Sequence, residues 1–97
     1  EQREPEVYIA WMGGELYKPA LRIASKLREK GVPVIIDGEE RSVKNSMKRA
    51  DRLNVKFAVI VGEDEIKAER LTVKNLESGE QFAFGVEEAA SFFMSNS

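Results

Sequence analysis

With 97 residues and 42% hydrophobic content, the chain can fill one modest core, which excludes a second independently folding unit. A formal charge of -2 excludes the broad positive field of a non-specific nucleic-acid binder, so any contact with a polyanion must come from a local patch. The absence of cysteine and histidine removes disulfides, Cys/His zinc sites, thiol nucleophiles and His-based acid–base chemistry together.

The lead from Glu1 to Glu6 is acidic and unlike a signal peptide. No later apolar run reaches the roughly 20 residues of a membrane span, so a cytoplasmic protein without membrane contact is expected. Val7 to Trp11 reads as a first short strand, broken by the turn residues Met12-Gly13-Gly14. From Leu16 to Lys30 the apolar positions Leu16, Ala20, Ile23, Ala24 and Leu27 recur at three and four, predicting an amphipathic helix. Pro19 fits only its first turn, and Gly31 suits the left-handed position just past its end. Val34 to Asp37, delayed by Pro33, is a second strand closed by Gly38-Glu39-Glu40.

Ser42 then caps a helix with Val43, Met47, Ala50 and Leu53 on one face and basic residues opposite. Phe57 to Val61 is a continuous apolar run, the pattern of a central strand buried on both faces. Beyond the loop GEDE the period falls to two. Leu71 and Val73 alternate with Arg70, Thr72 and Lys74, Ser78-Gly79 turns the chain, and Phe82 and Phe84 alternate again, predicting a hairpin. Val86 to Met94 makes a last helix with Val86, Ala89, Ala90 and Phe93 inward, before a polar tail from Ser95 to Ser97.

This order predicts a three-layer α/β fold, a five-stranded mixed, mostly parallel sheet flanked by three helices. Ligands of such sheets bind beyond the carboxyl ends of the parallel strands, here the loops WMGGE, DGEER and GEDE. Glu63, Asp64 and Glu65 form an acidic cluster there, with Asp37, Glu39 and Glu40 on the neighbouring loop. The cluster has three readings. Carboxylates could hold magnesium as in a receiver domain, but Trp11-Met12-Gly13 supplies no acid after the first strand. One carboxylate could accept hydrogen bonds from N1 and N2 of an unstacked guanine, or from N4 of cytosine. The third reading, which spacing alone favours, is a solvated loop at a helix start.

A second constellation is basic: Arg41, Lys44, Lys48 and Arg52 follow helical spacing, with Arg49 adjacent, Lys56 just beyond and only Asp51 interrupting. Such a row is either a wet helix face or a set of phosphate contacts. Met12-Gly13-Gly14 lacks the spacing and lysine of a phosphate loop and reads as a plain turn. Tyr8, Trp11, Phe57, Phe82, Phe84 and Phe93 fall at core positions, leaving Tyr17 open as a stacking residue.

The stretches LREKGVPVIID, ERSVKNSMKRADRLNVKFAVIVGEDE and LTVKNLESGEQ resemble the C-terminal domain of histidyl-tRNA synthetases, with the likeness running from about Val7 to Phe93. Gly62-Glu63-Asp64-Glu65 resembles a Gly-x-x-Glu motif shared with the threonyl, prolyl and glycyl enzymes. Arg41-Ser42-x-Lys44 followed by Lys48-x-Ala50-Asp51 looks specifically histidyl. The resemblance implies an anticodon-binding domain over residues 7–94. Residues 1–6 would link it to a missing N-terminal class II catalytic core, and 95–97 would be a tail. It further implies a homodimeric parent that attaches histidine to its tRNA with ATP and magnesium in that core, and no cofactor, metal or catalytic residue in this domain.

Within the family motif, Glu65 stands where a glutamate contacts an anticodon base. Lys74 falls where the threonyl enzyme has an arginine, and Glu40 where it has an asparagine. Glu65, Lys74 and Glu40 are thus the expected base-reading set, without assigned partner bases, and Arg41, Lys44, Lys48 and Arg49 the expected phosphate set. The histidine anticodon GUG contains two guanines, which suits a carboxylate acceptor. Two other classes stay open: a synthetase-like regulatory or interaction module without the enzyme, and a small-ligand α/β domain of receiver or flavodoxin type.

Overall fold

The computed structural model describes residues 4–96, so Glu1, Gln2, Arg3 and Ser97, which belong to the expected linker and tail, lie outside it. The first strand, β1 (Glu4–Trp11), begins three positions before the expected Val7. A 3-10 turn (Gly14–Leu16) leads into α1 (Tyr17–Glu29), with Pro19 in the first turn as its missing N–H requires. The helix ends in a Schellman motif: Gly31, at φ +91°, donates to the Arg28 carbonyl and Val32 donates to that of Leu27, each at 3.0 Å. Val32 is thereby drawn into the core against the helix it terminates.

After β2 (Val34–Ile36), Ser42 caps α2 (Val43–Arg52) by accepting from the Asn45 amide at 3.1 Å. The central strand β3 (Val55–Val61) follows, then α3 (Glu63–Ala68), β4 (Leu71–Asn75), β5 (Gln81–Phe84) and α4 (Val86–Ser95). Among the described residues four α-helices therefore flank the sheet where three were expected. The added one, α3, occupies the expected GEDE loop. It buries no residue, so it leaves no apolar period to read, and three acidic side chains in its first turn suit its positive end.

The sheet order is β2-β1-β3-β4-β5, and β1 pairs in parallel with both β2 and β3. β4 is antiparallel to β3 and to β5, so it alone runs against the other strands. Alternation along the strands sends Val7, Ile9, Phe57, Val59, Leu71 and Val73 to one face, which α1 and α4 cover together. Tyr8, Ala10 and Ala58 point to the other face, beneath Met47 and Ala50 of α2 and Leu53 just past its end.

One helix cannot cover five strands. On the second face the side chains of β4 and β5, Thr72, Lys74, Gln81 and Ala83, remain partly or fully exposed beside α2. Here α2 also departs from expectation. Val43, expected inward, is 45% exposed, and Ser46, at 1%, is buried with Ala50 in its place. No helix among the described residues is long and apolar enough to cross a membrane.

Candidate nucleic-acid interface

The open half of the second face carries the chemistry at its rim. Glu65 is the third residue of α3, which starts directly beyond the carboxyl end of β3, and its Oε2 accepts a hydrogen bond from the Thr72 hydroxyl at 2.8 Å. Thr72 and Lys74 are two positions apart on β4, so both point to the open face, about 7 Å apart along the strand. The carboxylate is tied to β4 through the hydroxyl and Lys74 follows along the line of the strand, whereas Glu65 itself lines a separate cleft on the α1 side with Arg22, Lys26 and Arg70.

Beside that line runs a groove of about 760 Å³ between α2 and the β4–β5 hairpin, large enough for a nucleotide. Lys44, Lys48 and Lys74 supply its positive charge, while Val43, Met47 and Leu76 give it apolar surface and Asp51 and Glu77 its acids. On the far side of α2 a smaller cleft of about 250 Å³ is lined by Arg41, Asn45, Lys48, Arg49 and Arg52, with no carboxylate among them. The basic row is therefore split along two sides of one helix, with Lys48 shared. Glu40 is exposed on the loop between β2 and α2 and lines neither groove. Lys56 leaves the row altogether: its Nζ donates to the Asn96 carbonyl at 3.0 Å and lies over the Phe57 ring.

Asp37 belongs to a different structure from the acidic cluster in which the sequence places it. It is 3% exposed, and its Oδ2 accepts from the Tyr8 hydroxyl and from Arg41 Nε at 2.8 Å, while Oδ1 accepts from the Glu39 amide at 3.0 Å. Trp11 Nε1 donates to the Asp37 carbonyl at 2.7 Å. Burial alone would push the Asp37 carboxyl up, but the hydrogen bonds from Tyr8, Glu39 and Arg41 outweigh it and hold the group below its ordinary range. Burial first, then the bond to Asp37, pushes the Tyr8 phenol well above its ordinary value. The network pins the loop entering α2 and fixes Arg41, whose Nη2 also lies 3.4 Å from Glu39.

Tyr17, left open as a stacking residue, packs against Trp11 with ring centroids 5.0 Å apart. Among the described residues no group of three or more acidic, histidine or cysteine side chains is placed to hold a metal ion.

A mixed sheet with one face half covered and a cationic helix beside the gap makes an α/β binding module. The chain belongs to the anticodon-binding domain family, whose profile, described as "Anticodon binding domain", matches residues 6–96. It is 40% identical over 84 residues to the histidine–tRNA ligase of Caldanaerobacter subterraneus subsp. tengcongensis, a match covering 87% of this chain and 20% of the ligase. The chain thus spans about a fifth of the length of the curated relatives it matches. The crystal structure of histidyl-tRNA synthetase from Nostoc sp. PCC 7120 superposes with a TM-score of 0.87 at 30% identity, covering 96% of this chain and 23% of that one. The RNA-binding domain of threonyl-tRNA synthetase from Cryptosporidium parvum Iowa II reaches the same TM-score at 15% identity, over 95% of this chain and 24% of that one, a likeness of fold alone.

Proposed function

We propose that this chain is the C-terminal anticodon-reading domain of a cytoplasmic, homodimeric histidyl-tRNA synthetase, and that it holds the anticodon loop of histidine tRNA on the open half of its sheet. The observation that carries this reading is the groove that Lys44, Lys48 and Lys74 line between α2 and the β4–β5 hairpin, with Glu65 bonded to Thr72 two positions from Lys74. The lysines, with Arg49 and the part-exposed Arg41, neutralise loop phosphates, an attraction that positions RNA without reading it. Base identity is read by Glu65, which accepts from guanine N1 and N2, and by Lys74, which donates to base acceptors. Glu40 meets a further base from the loop before α2.

The domain contributes binding and orientation. Attachment of histidine, with ATP and magnesium, belongs to the catalytic core of the parent. A pull-down from total tRNA followed by sequencing tests the assignment: histidine tRNA should be enriched, and a competitor with an altered anticodon should fail to displace it. Recovery of all tRNAs in proportion to their abundance would contradict it.

A further inference from the structure

α3 and α4 begin alike, each with a glycine N-cap, Gly62 or Gly85, and a glutamate at the third helical position, Glu65 or Glu88. In α4 the glutamate folds back as a capping box, with the Gly85 amide donating to Glu88 Oε1 at 2.9 Å. In α3 the glutamate makes no cap bond and instead accepts from the Thr72 hydroxyl on the neighbouring strand. The two glycines differ correspondingly. A Cβ placed on Gly85 would stand 3.5 Å from Glu88 Oε1, an ordinary contact, whereas one on Gly62 would stand 2.6 Å from Glu65 Oε1, closer than real Cβ atoms approach.

We propose that Thr72 and Gly62 are positioning residues for Glu65 and so determine its specificity. The Thr72 hydroxyl ties Oε2 to β4, and the bare Cα of Gly62 leaves the space that Oε1 occupies. Thr72 takes one lone pair of Oε2. Held so, the two carboxylate oxygens are the acceptors for the paired N1–H and N2–H donors of a guanine. This inference rests on the reading of Glu65 as a base acceptor.

The test compares the chain and four variants, Glu65→Ala, Thr72→Val, Thr72→Ser and Gly62→Ala, on a GUG stem-loop and on loops in which each guanine in turn is inosine, which lacks the N2 amino group. The unaltered chain should favour guanine over inosine at one position by about tenfold. Thr72→Val and Gly62→Ala should each lower that ratio by about threefold or more without changing the salt dependence of binding, and Thr72→Ser should restore it. A ratio lost in Glu65→Ala but kept in Thr72→Val and Gly62→Ala would overturn the positioning role and leave Glu65 as the reader. A ratio kept in Glu65→Ala would overturn both. A loss in Thr72→Val that Thr72→Ser does not restore would count against the hydroxyl.

Discussion

Tyr8 and Asp37, 29 positions apart in the chain, share a hydrogen bond in which the buried phenol donates to the buried carboxylate. Parallel pairing of β1 with β2 places them together, and the Asp37 amide continues that pairing by donating to the Ile9 carbonyl at 3.0 Å. The same carboxylate holds Arg41 and the amide of Glu39, so the entrance to α2 depends on one acid. Asp37→Ala would leave the Tyr8 hydroxyl buried without its acceptor and release Arg41. We expect a loss of about 2–3 kcal/mol in urea unfolding, below the upper range for buried pairs because Arg41 is part exposed. Tyr8→Phe should cost about 1 kcal/mol.

The same pair sets the pH limits of stability. The Asp37 carboxyl is lowered in the fold, so its contribution is full above the ordinary aspartate value of 3.8 and is lost as pH falls below it. The Tyr8 phenol is raised, so its contribution is full below the ordinary tyrosine value of 10.0 and is lost as pH rises above it. Unfolding midpoints across pH should show a plateau between these limits. Asp37→Asn should flatten the acid limb and Tyr8→Phe the alkaline one, and unchanged limbs in both variants would contradict the network.

Ser46 is 1% exposed in the face of α2 that packs on the sheet, and its Oγ is buried without a hydrogen-bond partner. Removing an unsatisfied hydroxyl while gaining helix propensity should stabilise the fold. Ser46→Ala is expected to add about 1 kcal/mol and to raise Tm by about 4–8 °C. A lowered Tm would show that the hydroxyl is paired in solution.

The lysines along the groove should register in the salt dependence of RNA binding. Lys44→Ala and Lys48→Ala should each reduce the slope of log affinity against log salt by about 0.7 per phosphate contact in a single-stranded loop. Lys30→Ala, at the end of α1 and paired with Glu87 at 3.0 Å, should leave the slope unchanged. Equal slopes for all variants would remove the lysines from the interface.

Much of the scaffold was legible because burial writes a period into the chain. The apolar run of β3, the alternation of the β4–β5 hairpin, the Ser42 cap and the Gly31 terminus all follow from local chemistry. What escaped depends on contacts distant in sequence or on elements that bury nothing. α3 has no inward residue to betray it. Asp37 reads as one more acid beside Glu39 and Glu40, since nothing near it announces Tyr8. Val43 reads as inward by hydrophobicity, but α2 turns Ser46 and Ala50 to the core and leaves Val43 in the open groove. At the site, Glu65 was accessible through its motif, whereas Thr72 was visible only as a polar residue in an alternating strand. Its bond to Glu65 exists because β4 returns antiparallel beside the strand that α3 follows.

Reading of the anticodon by Glu65 is tested most directly by measuring the affinity of the chain and of Glu65→Ala for a GUG stem-loop and for the same loop with its anticodon replaced. The unaltered chain should prefer GUG by about tenfold or more, and Glu65→Ala should lose the preference while keeping the salt-dependent affinity supplied by α2. Equal binding of both loops by the unaltered chain, or a preference that survives in Glu65→Ala, would contradict it.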